Sequence, residues 1–215
     1  MLKETHCPLC KTADATLYFE DARRPYYLCG CCALVFVPPR CFLHREAERA
    51  EYLKHENDEH DAGYRQFLAR LADPLTARLR PGALGLDFGC GPGPALALML
   101  REQGYNVTLY DSFFAPDAAA LNAEYDFIAA TEVVEHLHRP AAELERLWQL
   151  LRPGGYMGLM TKLVIDRDAF ARWHYKNDPT HVVFFSRETF EWWGAARGVR
   201  PEFIGADVIL LRKQD

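Results

Sequence analysis

The sequence has no apolar run long enough to cross a lipid bilayer. A membrane-spanning helix needs about 18 or more consecutive apolar residues, and no segment of the 215-residue sequence approaches that length. The first eight residues, Met-Leu-Lys-Glu-Thr-His-Cys-Pro, also have no apolar core of the kind found in secretory leaders. We therefore expect a cytoplasmic protein without a membrane partner.

The sequence also lacks an excess of positive charge, since 25 Lys and Arg stand against 30 Asp and Glu and give a formal net charge of −5. Phosphate backbones are bound by clustered Lys and Arg, so a general nucleic-acid-binding surface is not expected, although a local basic patch stays open. A hydrophobic content of 49% with 26% charged residues excludes a disordered chain. The length is sufficient for one catalytic domain with an appendage.

Cysteine is abundant only early in the chain, where six of the seven cysteines precede residue 42. Two C-x2-C pairs stand there with 18 residues between them, a spacing typical of zinc ribbons. The predicted zinc ligands are Cys7, Cys10, Cys29 and Cys32. Free thiols are the alternative, and Cys31 is a candidate to replace Cys29 or Cys32. A disulfide is not expected in a reducing compartment.

The most informative segment covers residues 83–93, in which an apolar strand ends in Asp87 and three alternating glycines follow. Glycines permit a tight turn whose backbone N–H groups approach a bound ligand. The segment therefore predicts a nucleotide-cofactor loop, with a plain structural turn as the alternative. The dehydrogenase pattern G-x-G-x-x-G is not met, because Pro94 occupies its last position. The three glycines are Gly89, Gly91 and Gly93.

The residues that follow predict a complete β-α-β unit. Apolar spacing predicts a helix over residues 96–103, and alternation predicts a strand over 106–110 that ends at Asp111. An acid at this point faces the ribose hydroxyls of a nucleoside bound over the glycine loop. Asp111 is the expected ribose ligand.

Later motifs extend the pattern. Residues 125–137 read Tyr-Asp-Phe-Ile-Ala-Ala-Thr-Glu-Val-Val-Glu-His-Leu, and residues 151–155 read Leu-Arg-Pro-Gly-Gly, which we interpret as a turn. Together with the D-x-G-x-G-x-G loop and the acid after the second strand, these motifs make residues 83–161 resemble class I S-adenosylmethionine-dependent methyltransferases. Short-form enzymes of this kind often carry a Cys-x-x-Cys pair before the domain and a D-P-T-H-V segment after it, and both are present.

The resemblance implies an α/β fold with a Rossmann-like sheet over residues 81–215. A helical linker or cap over 41–80 and the zinc-ribbon-like module over 1–40 would precede it. Only residues 112–124 separate the second strand from the strand that begins at Tyr125. Since parallel strands need a crossover of about a dozen residues or more, the usual third strand is expected to be absent.

The resemblance also implies S-adenosylmethionine as the cofactor. Phe113 is a candidate to stack on the adenine, with ordinary packing as its alternative. The expected cofactor contacts are Asp87, Gly89, Cys90, Gly91, Gly93, Asp111, Ser112, Phe113, Thr131 and Glu132.

Two histidines are candidates for the general base that removes a proton from the acceptor, His136 and His181. Each has a structural alternative, as a hydrogen-bonding histidine or as the residue that fastens the Asp-Pro-Thr turn. The expected acceptor-site residues are Tyr64, His174, Tyr175 and Asp178, with Asn57 as a further pocket candidate.

The predicted function is transfer of a methyl group to an acceptor, with a small molecule as the leading class. One alternative is an RNA or protein methyltransferase that uses the ribbon to hold its substrate. Others are a non-catalytic cofactor-binding scaffold and a nicotinamide oxidoreductase, the last disfavoured by Pro94.

Overall fold

The computed structural model describes residues 6–54 and 58–215. The predicted pocket residue Asn57 lies outside these ranges. The strands are β1 (Ala15–Glu20), β2 (Pro25–Cys29), β3 (Val35–Phe36), β4 (Leu84–Phe88), β5 (Asn106–Tyr110), β6 (Tyr125–Thr131), β7 (Leu151–Met160), β8 (Val183–Phe184), β9 (Glu202–Ile204) and β10 (Val208–Arg212). The α-helices are α1 (Arg45–Tyr52), α2 (Ala62–Thr76), α3 (Ala95–Glu102), α4 (Pro140–Leu150), α5 (Arg167–Arg172) and α6 (Arg187–Ala195).

The larger sheet has the strand order β5-β4-β6-β7-β10-β9. Strands β5, β4, β6 and β7 run parallel, whereas β10 is antiparallel to both β7 and β9. Alternate residues of β6 pack into different clusters, because Phe127 and Ala129 contact the cluster that contains α2 and α3, and Ile128 and Ala130 contact the one that contains α4 and α6. Helices therefore cover both faces, and the predicted α/β Rossmann-like fold is confirmed.

The predicted absence of the third strand is also confirmed for the described residues. Beyond β5 the chain makes a bridge between Asp111 and Ala115 and then a short 3-10 helix, Ala118–Asn122, before β6 begins. In the described part of the chain β5 is therefore the edge of the sheet. Because this connection is short, another segment of the chain can pack over the ends of β4 and β5.

The smaller sheet has the order β1-β2-β3-β8. Strands β1 and β2 form a hairpin between the cysteine pairs, and β3 pairs antiparallel with β2. Strand β8 comes from the distant segment after β7, and Val35 and Phe36 pair with its residues Phe184 and Val183. The cysteine-containing segment and the late segment thus share one sheet, while the domain boundaries at 40 and 80 stay a prediction.

One local prediction is wrong. The Leu-Arg-Pro-Gly-Gly motif is not a turn before a strand, because it lies inside β7. There the register with β6 shifts between the pairs Tyr125–Leu151 and Phe127–Tyr156, so the motif forms a large irregularity in the strand. No helix of the described ranges is long and apolar enough to cross a bilayer.

Candidate active site

A cavity of about 810 Å³ lies at the carboxyl ends of β4, β5 and β6. This is the edge at which ligands bind in open α/β sheets. Apart from Asn57, which lies outside the described ranges, the cavity is lined by all the residues predicted from the sequence for the cofactor and the acceptor. They are Tyr64, Asp87, Gly89, Cys90, Gly91, Gly93, Asp111, Ser112, Phe113, Thr131, Glu132, His136, His174, Tyr175, Asp178 and His181.

The glycine loop is folded tightly against the neighbouring strand ends. Gly89 has a φ of +77°, and its N–H donates to the carbonyl of Tyr110 at 2.7 Å. A Cβ at this position would come within 2.5 Å of Cγ2 of Val133. Glycine is therefore required at position 89 both by the backbone conformation and by the space.

Asp87 is a buried carboxylate with one oxygen that lacks a hydrogen-bond donor among the described residues. It is 2% exposed, and its Oδ2 has no hydrogen-bond partner among the described residues. Burial raises the pKa of Asp87 to about 7, although the N–H of Ala97 in the first turn of α3 opposes the shift. An unsatisfied buried acceptor of this kind fits a cationic donor group of a ligand.

Asp111 fixes the loop that follows β5. Its Oδ1 accepts from the N–H groups of Phe113 at 2.7 Å and Phe114 at 3.0 Å, and its Oδ2 accepts from the N–H of Gly91 at 3.1 Å. One side chain thus ties the glycine loop to the loop after the second strand of the β-α-β unit.

Helix α1 covers this loop, and its contact with Phe113 was not foreseen from the sequence. Arg45 donates to the carbonyl of Ser112 at 2.7 Å, and its guanidinium lies 4.3 Å from the ring centroid of Phe113. Tyr52 contacts the same ring edge-on at 5.5 Å. The positive charge of Arg45 in a run of charged residues was the available signal, but its spacing gave no indication of a target.

Tyr64 of α2 lies toward the cofactor side of the cavity. Burial and the nearby carboxylates of Asp87 and Glu132 raise the pKa of Tyr64 to about 12. The phenol is therefore neutral and is able to donate a hydrogen bond to a carboxylate or a ligand.

Glu132 directly follows β6 in a conformation unusual for a residue other than glycine, with a φ of +53°. Its Oε1 has no hydrogen-bond partner in the described part of the chain, and burial raises its pKa. Backbone strain of this kind is often found at functional sites. Glu132 thus adds a second carboxylate to the residues that line the cavity.

Glu135 is a site residue that the sequence reasoning missed. It is 0% exposed, and it accepts hydrogen bonds from Oγ1 of Thr161 at 3.0 Å and from the hydroxyl of Tyr175. Burial, with the charge of Glu132 adding to it, raises the pKa of Glu135 to about 8. The E-x-x-E spacing in the 125–137 motif was a signal, but only the packing of residues 161–175 shows that the second acid is buried.

The two candidate bases lie next to each other, with ring centroids 4.6 Å apart. Nδ1 of His136 is 3.2 Å from the carbonyl of Thr180, and Nδ1 of His181 is 2.7 Å from the carbonyl of Tyr175. Because a carbonyl only accepts, each Nδ1 carries the hydrogen, and Nε2 is the basic nitrogen of each ring.

Asp178 and His174 flank this pair. Asp178 Oδ1 accepts from the N–H of Thr180 at 2.8 Å and from its hydroxyl at 2.5 Å, as in a turn. Burial alone would raise the pKa of Asp178, but these hydrogen bonds and the proximity of His181 lower it. His174 Nε2 is 3.1 Å from Nζ of Lys162, a cation that the sequence reasoning also missed.

The predicted zinc ligands form a compact quartet. Cys7 and Cys32 have their Sγ atoms 3.6 Å apart, Cys10 and Cys29 have theirs 3.4 Å apart, and all of these atoms lie within 4.8 Å of one another. Cys31 is exposed and lies outside the quartet. The two pairs end alike, because Lys11 and Ala33, each directly after the second cysteine, have φ values of +67° and +56°.

Comparison with known proteins identifies the family. Residues 52–202 match the family described as a methyltransferase domain. The chain is 34% identical over 87 residues to a ubiquinone biosynthesis O-methyltransferase of Cereibacter sphaeroides, which covers 40% of this chain and 34% of the relative. It is 29% identical over 168 residues to a malonyl-[acyl-carrier protein] O-methyltransferase of Enterobacter lignolyticus, which covers 67% and 65%. The chain thus spans about one third of the length of the first relative and just under two thirds of the length of the second.

Among solved structures, the Burkholderia thailandensis 1,6-didemethyltoxoflavin-N1-methyltransferase, determined with S-adenosylhomocysteine, has a TM-score of 0.52 at 22% identity. The match covers 94% of this chain and 100% of that one. It supports the fold, and the family match rules out the nicotinamide oxidoreductase alternative. The chain belongs to the methyltransferase-domain family, and its fold is that of class I methyltransferases.

Proposed function

We propose that this enzyme methylates a small-molecule acceptor, which lies between the glycine loop and the buried group of Glu135, His136, Tyr175 and His181. The observation that carries the proposal is the cavity that contains both the cofactor loop and the two histidines. Its volume of about 810 Å³ lies in the range of small-molecule sites, about 300–1,000 Å³. The net charge of −5 gives no support to a nucleic-acid acceptor.

The residues of the loop fit S-adenosylmethionine by their chemistry. The unpartnered Oδ2 of Asp87 would accept from the cofactor's ammonium group, and the glycines allow close approach of its backbone. Asp111 would turn toward the ribose hydroxyls, and Ser112 and Phe113 would border the adenine. Cys90, Thr131 and Glu132 would complete the contacts. When bound, the cofactor supplies a methyl group that is already activated by its sulfonium.

The work of the protein is then to hold the acceptor in line with that methyl group. Tyr64, His174, Tyr175 and Asp178 would border the acceptor. For an acceptor that carries a proton, the Nε2 atom of His136 or His181 would remove it, because both rings keep their own hydrogen on Nδ1.

We further propose that Cys7, Cys10, Cys29 and Cys32 bind one zinc ion in a structural ribbon. Tetrahedral zinc with Zn–S bonds of about 2.3 Å separates its sulfur ligands by about 3.8 Å. The separations of 3.6 Å and 3.4 Å within this quartet are close to that value. No other donor is needed, since four thiolates complete the tetrahedron.

The proposed function is tested by titration of the purified protein with S-adenosylhomocysteine, followed by incubation with S-adenosylmethionine labelled in the methyl group and a cell extract. We expect binding in the calorimeter and label in the small-molecule fraction. Label that appears only in RNA or protein would overturn the small-molecule acceptor. Absence of S-adenosylhomocysteine binding would overturn the assignment of the loop.

A further inference from the structure

We propose that Glu135, His136 and His181 bind a divalent metal ion on the acceptor side of the cavity, with Glu132 as an additional oxygen ligand. The role of the ion in catalysis rests on the proposed function. The ligands themselves follow from the positions of the donor atoms and do not depend on it. This ion is distinct from the zinc of the ribbon. Its chemistry is that of a cation with mixed nitrogen and oxygen ligands.

The donor atoms are close enough to share an ion. One nitrogen of each histidine and one oxygen of Glu135 lie within 4.8 Å of one another. His136 Nε2 is 4.0 Å from Oε1 of Glu135. Donors bound at about 2.1 Å are separated by about 3 to 4 Å, so an inward movement of about 1 Å closes the site.

The hydrogen bonds around the donors are those found around bound metals. A histidine that binds a metal through one nitrogen usually donates from the other to a carbonyl or carboxylate. Both histidines do so here, His136 to the carbonyl of Thr180 and His181 to that of Tyr175. Two ring orientations are therefore fixed with Nε2 as the donor atom. Glu135 is oriented in turn by Thr161 and Tyr175.

The charge balance also favours a cation. Glu135 is completely buried, and in the described part of the chain no Lys or Arg forms an ion pair with it. Glu132 adds a second carboxylate whose Oε1 has no hydrogen-bond partner among the described residues. A buried carboxylate is costly unless it is paired or coordinates a metal. A divalent ion between the two acids would neutralise both.

The ligand set indicates which ions fit. Two imidazoles with carboxylate oxygens suit Mn²⁺, Fe²⁺, Co²⁺ or Zn²⁺ better than the soft ions that prefer thiolates. His136, His181 and Glu132 line the cavity, so the remaining positions of the ion would face it. The ion would bind an oxygen of the acceptor and lower the pKa of its hydroxyl group, so that the proton leaves to water.

The transfer then balances without a protein base. The acceptor oxygen uses an electron pair to form the O–CH3 bond, the S–CH3 bond breaks, and its electron pair returns to sulfur as a neutral thioether. His136 and His181 act in this scheme as metal ligands. With the ion bound, Nε2 of each ring is a ligand, so the ion replaces the histidine base of the proposed function.

The test uses Mn²⁺ alone, because a hard cation does not compete for the thiolates of the ribbon. Mn²⁺ is titrated into the purified protein, and the free ion is followed by its electron paramagnetic resonance signal. We expect one equivalent to bind to the wild-type protein and at least tenfold weaker binding to Glu135→Gln and His136→Gln. His138→Gln is the matched control, because His138 lines the same cavity but pairs with Glu48 instead, and it should bind Mn²⁺ as the wild type does.

Binding of S-adenosylhomocysteine to each variant reports that the fold is intact. Unchanged Mn²⁺ binding by both Glu135→Gln and His136→Gln would overturn the site. It would also be overturned if the wild type took up neither Mn²⁺ nor a second equivalent of Zn²⁺. If the metal site fails either test while S-adenosylhomocysteine still binds, the proposed function stands. If the wild-type protein does not bind S-adenosylhomocysteine but does bind Mn²⁺, the proposed function is wrong and the metal site stands.

Discussion

At Asp87 the proposed role in cofactor binding and the stability of the fold oppose each other. Its pKa is raised from 3.8 to about 7 by burial. Between these two values the unfolded carboxyl is ionised while the buried one keeps its proton. The folded state therefore binds more protons, and the free energy of unfolding falls as the pH rises from about 4 to about 7.

We predict that Asp87→Asn flattens this dependence and weakens binding of S-adenosylhomocysteine at least tenfold. The amide removes the ionisation, so the ligand-free variant should equal or exceed the wild type in stability at pH 7.5. It also removes the charge that attracts the ammonium group. Urea unfolding at pH 5 and 7.5, with calorimetry at both, measures the two effects. A variant that binds the ligand normally would contradict the role of Asp87.

Two glycines with similar φ values, Gly89 and Gly82, allow the stability cost of backbone conformation to be distinguished from the cost of steric overlap. A residue other than glycine at a φ of +77° costs about 1–2 kcal/mol, and the Cβ of alanine would also overlap Val133. Gly82 has a similar φ of +73°, but nothing lies within 4 Å of the position that an added Cβ would take there. We expect Gly82→Ala to lower the free energy of unfolding only by the cost of the backbone conformation. Gly89→Ala should lower it further, because its Cβ also overlaps Val133.

Thermal unfolding and S-adenosylhomocysteine binding of the two variants give the comparison. Gly89→Ala should also bind the ligand at least tenfold more weakly, because displacement of Val133 opens the loop. Equal losses of stability in both variants, with ligand binding intact, would mean that position 89 needs glycine for its backbone alone.

At the scale of elements, the hairpin of β1 and β2 supports the segment that carries the acceptor-side residues. Arg24, in the hairpin turn, donates to the carbonyls of Lys176 at 2.8 Å, Asp178 at 2.8 Å and Pro179 at 3.2 Å. Tyr26 donates to the carbonyl of Lys176 at 3.1 Å. The residues between His174 and His181 are thus held from outside by a distant hairpin.

We predict that Arg24→Ala destabilises the protein by about 2–4 kcal/mol, because buried carbonyls lose a charged donor. Amides of residues 176–182 should exchange with solvent faster, while S-adenosylhomocysteine binding stays within about twofold. Arg23→Ala is the control, since its side chain is 52% exposed and its contacts with Asn177 should contribute less than about 1 kcal/mol. Unchanged amide exchange in Arg24→Ala would show that the hairpin does not support this segment.

The elements differ in how far the sequence determined them. Strands β4 and β5, the glycine loop and the missing third strand were predictable, because each follows from local spacing or from the length of a connection. The pairing of β3 with β8 was not, since two strands of two residues each, separated by well over a hundred positions, leave no local signal. The burial of Glu135 and the approach of α1 to Phe113 likewise depend on tertiary packing.

At the scale of the whole molecule, the cysteine quartet and the catalytic sheet share a core. Cys7, Cys29 and Cys32 belong to the same buried cluster as Leu86 of β4 and Ile128 of β6. The antiparallel pairing of β3 and β8 adds a backbone connection between the cysteine-containing segment and the chain that follows β7. A disturbance at the ribbon should therefore be felt across the protein and not as a separate transition.

We predict that the protein purifies with one zinc bound to the quartet and that Cys10→Ser loses it. A structural zinc contributes about 10–16 kcal/mol of binding free energy, so loss of even part of it should lower Tm by about 10 °C or more, in a single transition. Cys31→Ser is the matched control, because Cys31 is exposed and outside the quartet, and it should keep both the zinc and the wild-type Tm. Metal analysis with calorimetric unfolding measures both quantities. Two separate transitions in Cys10→Ser would mean that the ribbon folds independently of the sheet. A full equivalent of zinc retained by the double variant Cys10→Ser/Glu135→Gln, in which the second metal site is also removed, would exclude the quartet as the zinc site.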